Sequence, residues 1–200
     1  MSSPANPTTS TETPTAELDV LDVASAPEAS RPILEGARRG FGFVPNLLGV
    51  LASSPVALEA YTTLSKILEG GTLSAAERQV VLLTVSVANR CDYCVGAHSV
   101  IAAGAGVPAE VVRAIREERP LPEPRLAALS EVARRLVERR GWLSAEDVQA
   151  FYDAGFEAGQ LLEVVTALAL KTLSNYTNHL AETPLDSAFE EAAWTPPSGA

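Results

Sequence analysis

Apolar positions along the chain recur every three or four residues, in runs opened by proline or a capping side chain and closed by glycine. That pattern predicts helices. Pro27 to Arg39 reads as the first, with Ile33, Leu34 and Ala37 on one face and Gly40 and Gly42 as its stop. Pro45 opens a short turn through Leu51, and Pro55 to Leu68 is a second clear helix ended by Gly70-Gly71. Ser74-Ala75-Ala76-Glu77 is a capping-box pattern, so the apolar run behind it predicts a helix from Ala75 to about Asn89. Cys91 to Ala103 follows, closed by Gly104 and Gly106. Pro108 starts another helix, which runs to about Glu117.

Pro120, Pro122 and Pro124 form a connector. Arg125 to Arg139 then places Leu126, Leu129, Val132, Ala133 and Leu136 on one face. Ser144 caps a short helix from Ala145 to Asp153. Glu157 to Glu182 is long and largely apolar, so it belongs near the centre of the fold. Val80 to Val87 is rich in Val and Thr and could form a strand. The cap before it and the lack of hairpin turns nearby favour helix. The predicted class is all-α, a helical bundle.

Composition adds boundaries. Met1 to Ala16 holds eleven Ser, Thr and Pro residues in sixteen, too little apolar surface to offset the entropy of ordering. The expected organisation is a disordered tail over 1–17, one helical domain over 18–190 and a flexible tail over 191–200. A net charge of −10 with no basic stripe argues against nucleic-acid binding. No segment reaches the roughly 20 uninterrupted apolar residues of a membrane span. Leu161 to Leu173 is broken by Glu163 and Lys171. With no Lys or Arg before Arg31, the start does not read as a secretory signal, so the expected location is the cytoplasm.

Two cysteines three positions apart would close almost no loop as a structural disulfide, and a reducing compartment disfavours one. Reactivity is the better reading. Cys91-Asp92-Tyr93-Cys94-Val95-Gly96-Ala97-His98 puts Cys94 and His98 four apart on a helix face, with Cys91 beside Cys94. A cysteine in a first turn meets free backbone N–H groups and the positive end of the helix dipole, which favour the thiolate. His98 can act as its base. Oxidised to a sulfenic acid, Cys94 can condense with Cys91. Two blander readings compete: buried apolar cysteines with a satisfied core histidine, or a zinc site completed by His179. The zinc reading lacks a second pair of ligands. His179 alone reads as a polar helix end.

At these residues the sequence resembles the AhpD-like alkylhydroperoxidases of the carboxymuconolactone decarboxylase superfamily. The match runs through Leu73-Ser74-Ala75-Ala76-Glu77-Arg78-Gln79, then Asn89-Arg90-Cys91-Asp92-Tyr93-Cys94, then His98-Ser99, with Gly42-Phe43-Val44-Pro45-Asn46-Leu47 resembling the lead-in of the peroxidase-related branch. The resemblance implies an AhpD-like all-helical fold, trimers or hexamers and no bound cofactor; with three candidate ligands on one helix, no metal is expected either. It implies reduction of hydroperoxides by Cys91 and Cys94 with His98 as relay, regenerated by an external lipoyl-type or thioredoxin-like dithiol. Cys94 is the expected peroxidatic thiol because the histidine sits one turn beyond it. Gln79, Tyr93 and Ser99 are the expected site support. Gln79 stands where the family often has a relay glutamate. It can orient an imidazole but cannot accept a proton. Tyr93 stands where some members carry a histidine. A non-enzymatic redox sensor and a lactone decarboxylase are the alternatives on the same scaffold.

Overall fold

The computed structural model describes residues 17–197, so the expected disordered tail over 1–17 falls almost wholly outside the described residues. Among them are α1 (Arg31–Phe41), α2 (Asn46–Leu51), α3 (Pro55–Glu69), α4 (Ala75–Ala88), α5 (Asp92–Gly104), α6 (Ala109–Arg116), α7 (Pro124–Glu138), α8 (Ala145–Asp153) and α9 (Ala158–Ala181). Short 3-10 turns occupy Glu28–Ser30 and Ser187–Ala192. No strand occurs among the described residues, and the class is all-α. The first predicted helix divides in two, because the segment turns tightly at 28–30 before α1 begins. Gly40 does not stop α1. Gly42 does, taking a left-handed φ of 83° as its C-cap.

α4 is the centre. Its Val- and Thr-rich stretch is helical, and Val80 through Val87 are all buried. Such a helix needs apolar partners on every side. Val81 and Val85 pack with Leu129, Val132 and Phe151 from α7 and α8, and with Val164 and Ala167 from α9. On the opposite side Val80, Leu83 and Val87 meet Val95 of α5 and Val111 and Ile115 of α6. Each such side chain contributes about 1.5–3 kcal/mol by leaving water.

The capping box fixes where α4 starts. Ser74 Oγ accepts from the Glu77 N–H at 3.2 Å, and the Glu77 carboxylate accepts from the Ser74 N–H at 2.8 Å. Glu77 also receives Arg125 Nε at 2.8 Å, tying α4 to α7. Among the described residues no helix is long and apolar enough to cross a membrane.

The first and last described segments pack against the body. Leu21 N–H donates to the Gly49 carbonyl, and a side chain at Gly49 would come within 2.7 Å of the Leu21 oxygen. The expected flexible tail over 191–200 is held at its near end. Arg116 donates to the carbonyls of Ala192 and Ala193, and Trp194 Nε1 donates to the Arg116 carbonyl at 3.0 Å. A half-buried arginine fork and an indole supply order that a Pro-, Ser- and Gly-containing sequence did not reveal. Residues 198–200 lie outside the described residues.

Candidate active site

The turn between α4 and α5 positions the thiols. Arg90 takes a left-handed φ of 57°, its N–H returns to Val87, and the Cys91 N–H reaches back to the Ser86 carbonyl at 3.0 Å. This reversal makes Cys91 the N-cap of α5 and leaves Cys94 in the first turn. Both thiols are free and buried. Cys94 lies on the wall of a cavity of about 240 Å³, while Cys91 sits behind it.

α9 faces the pair. Lys171, Ser174 and Asn178 recur at three- and four-residue steps and so share one side of the helix. Asn178 Nδ2 donates to Cys94 Sγ at 3.2 Å and lies 3.7 Å from Cys91 Sγ, so one amide spans both sulfurs. Ser174 Oγ is 3.9 Å from Cys94 Sγ. Lys171 is 1% exposed, and its Nζ has no hydrogen-bond partner among the described residues.

These contacts separate the two acidities. Burial works against a Cys94 thiolate. The hydrogen bond from Cys91, the positive charge of Lys171 and the Ser174 hydroxyl outweigh it and bring the thiol down to about 5. Cys91 moves the other way. It is pushed up because it keeps its proton to donate to Cys94, and burial and the Cys94 charge add to this. These neighbours favour the negative charge on Cys94 and the proton on Cys91.

The remaining expected site residues divide. His98 lines the cavity, and its Nδ1 is 2.9 Å from Gln79 Oε1. Its hydrogen bond therefore goes to Gln79 and not to Cys94. Burial and then the Lys171 charge push the imidazole well below its ordinary range, which keeps it neutral. Because the Gln79 carbonyl oxygen can only accept, a neutral ring in this pair carries its proton on Nδ1 and a lone pair on Nε2.

The Tyr93 ring borders the cavity, but its hydroxyl turns away, donating to Asp186 at 2.5 Å and accepting from the Leu47 N–H at 3.2 Å. Ser99 is elsewhere. It bonds the Val95 carbonyl and Arg116, and belongs to the anchor of the chain end. His179 is exposed in the last turn of α9, stacked near Tyr176. No group of three or more His, Cys, Asp or Glu side chains that could hold a metal lies together among the described residues.

Lys171, Ser174 and Asn178 were not singled out from sequence. A lysine breaking an otherwise apolar helix was the available signal, since full burial of an unpaired lysine is rare. Polar residues three and seven positions further on mark the same face.

The carboxymuconolactone decarboxylase family matches the chain over residues 55–135. No curated protein sequence matches it. Three solved structures share the fold. An uncharacterized peroxidase-related protein with an alkylhydroperoxidase AhpD core, from Ralstonia eutropha JMP134, is 24% identical with a TM-score of 0.76, covering 88% of this chain and 95% of its own. A peroxidase-related protein from Silicibacter sp. TM1040 is 19% identical with a TM-score of 0.73, covering 89% and 97%. A cysteine-to-alanine variant of the debrominase Bmp8, in complex with 2,3,4-tribromopyrrole, is 18% identical with a TM-score of 0.75, covering 88% and 95%. The matched segment holds both cysteines, His98 and Gln79, so residues 55–135 are similar to the carboxymuconolactone decarboxylase family, and the fold of the described residues is shared with a solved AhpD-core structure.

Proposed function

We propose that this chain is a thiol-dependent peroxidase that reduces hydroperoxides with Cys94 as nucleophile and Cys91 as resolving thiol. The observation that carries the reading is the asymmetry of the pair. Cys94 faces the cavity as the more acidic thiol, and Cys91 waits protonated behind it under the same Asn178 amide.

The Cys94 thiolate attacks the terminal peroxide oxygen, the O–O bond breaks, and Cys94 becomes a sulfenic acid while an alkoxide departs, which takes up one proton to leave as the alcohol. Cys91 then displaces water from the sulfenic sulfur to form the disulfide. An external dithiol, lipoyl-type or thioredoxin-like, restores both thiols by exchange. His98, oriented by Gln79, stands one turn beyond Cys94 as a proton acceptor.

The test is hydroperoxide-dependent oxidation of a reduced lipoyl-type dithiol or of thioredoxin. Cys94→Ser should abolish it. Cys91→Ser should stop after one equivalent, with a sulfenic acid trapped on Cys94. Peroxide consumption that survives Cys94→Ser would defeat the assignment.

The cavity favours one second reading. Its walls are mainly apolar and include the rings of Phe41, Tyr61, Tyr93 and Phe189, a shape that suits a planar halogenated ring. Dehalogenation would use the same two thiols and the same two electrons. Halide release from a bromopyrrole, without peroxide consumption, would select it.

Assembly is part of the proposal. Leu162, Val165, Tyr176 and Leu180 leave an exposed apolar stripe along α9, which supports self-association. Sedimentation should give a trimer or hexamer, and a monomer would remove this part.

A further inference from the structure

Lys171 is buried inside α9, opposite the dithiol, and shares the cavity with Cys94. Neither a hydrogen bond nor a salt bridge holds its Nζ among the described residues. An ammonium taken out of water normally acquires a carboxylate or several acceptors, because an unpaired buried charge is expensive. Here the anion available inside the cavity is the Cys94 sulfur. The other titratable groups around the cavity are His98 and Tyr93 on α5 and Tyr61, Lys66 and Glu69 on α3. Glu69 is exposed and Lys66 is a cation.

The proposed peroxidase reaction, on which this inference rests, also needs a proton for the departing alkoxide. Gln79 cannot supply one. His98 is neutral, with its proton committed to Gln79.

We propose that Lys171 is the proton carrier of the dithiol, protonated while Cys94 is a thiolate and neutral while Cys91 and Cys94 are bonded. In the first step the Cys94 sulfur forms a bond to the terminal oxygen, the O–O bond breaks, and the Lys171 ammonium gives its proton to the alkoxide. Sulfenic acid, alcohol and a neutral amine result, with no net change in charge. In the second step the Cys91 proton leaves with the sulfenic hydroxyl as water, and the disulfide forms. The site then holds neither sulfur anion nor ammonium, so no unpaired charge stays buried. Reduction by an external dithiol releases two protons from that dithiol, one to Cys91 and one to Lys171, and the ion pair is rebuilt.

Two measurements on the full-length wild-type protein test this without peroxide. Ultraviolet absorbance should show one thiolate in the reduced protein at neutral pH. The exchange constant against dithiothreitol should be flat between about pH 6 and 8, because each dithiol takes up two protons on reduction. A lysine that keeps its proton beside the disulfide would make that constant change about tenfold per pH unit. That slope, or the lack of a thiolate, overturns the proposal.

Lys171→Met should lose the neutral-pH thiolate. Lys171→Arg holds a cation that cannot deprotonate. It should keep the thiolate, acquire the tenfold slope, and lose about a hundredfold or more in peroxide turnover. Wild-type turnover in Lys171→Arg would overturn the donor role. If the wild-type protein shows the thiolate and the flat exchange constant but consumes no peroxide, the peroxidase reading fails and the proton carrier stands.

Discussion

Cys94 and Cys91 are three residues apart on one turn, and their acidities differ because different neighbours reach them. Alkylation with mass-spectrometric localisation should label Cys94 at a rate that is flat above about pH 6 and falls away near 5, with Cys91 protected. Equal labelling of the two would contradict the asymmetry. Stability should follow the same group. The unfolded thiol is protonated over a range in which folded Cys94 is ionised, so the stability this gives is lost as pH falls toward about 5. His98 acts in the same direction, because the unfolded chain protonates its imidazole below about 6.5 while the fold resists. Urea unfolding across this range should show a shallower pH slope for Cys94→Ser than for the wild type.

Two further residues can be tested at this scale. Gln79→Glu puts a carboxylate 2.9 Å from the His98 ring. It should raise peroxide turnover and shift the acid limb of its pH profile upward, and an unmoved profile would show that this pair carries no proton. Tyr93→Phe removes the hydroxyl held by Asp186 and Leu47. It should cost about 1–3 kcal/mol in denaturant unfolding with unchanged Cys94 acidity. A shifted thiol titration would put the tyrosine back in the chemistry. The cysteines and His98 were legible because their spacing repeats one helical turn. Lys171 was not, since a periodicity argument counts a lysine only as an interruption, and nothing local says it will face a sulfur about eighty residues away.

Among the elements, α4 shows best how local signals compete. Its Val and Thr content favours a strand, and the Ser74–Glu77 box decides for helix by satisfying two free N–H groups at its start. Ser74→Ala should therefore cost about 1 kcal/mol, lowering Tm by about 2–4 °C. A loss within error would mean that the Arg125–Glu77 pair alone holds this end. Helix identities were readable from proline, glycine and capping residues. The rotation of α9 was not. Its sequence is apolar on more than one side, and which face meets the thiols depends on packing against α2, α3, α4, α5 and α7 together.

At the level of the whole molecule, the site draws on distant parts of the chain. Phe189, in the turn after α9, forms part of the cavity wall. Arg116, Trp194 and the Asn46–Asp186–Tyr93 contacts pin that segment against α5. Ending the chain after Asp186 should speed alkylation of Cys94 severalfold at constant pH, as read by the same labelling assay. An unaltered rate would mean that Phe189 does not limit access.

The pinned terminus has an evolutionary corollary. Sulfurs and imidazole come from α5 and its N-cap, and the lysine and amide that face them from α9, whereas Phe41, Leu47, Leu48 and Phe189, which shape the space in front of them, come from the flanks before α3 and after α9. Reactivity and selectivity are thereby encoded in separate stretches. Flank exchange between relatives should change which molecule enters while sparing the electron transfer itself, so a common redox engine can acquire new clients by altering its doorway.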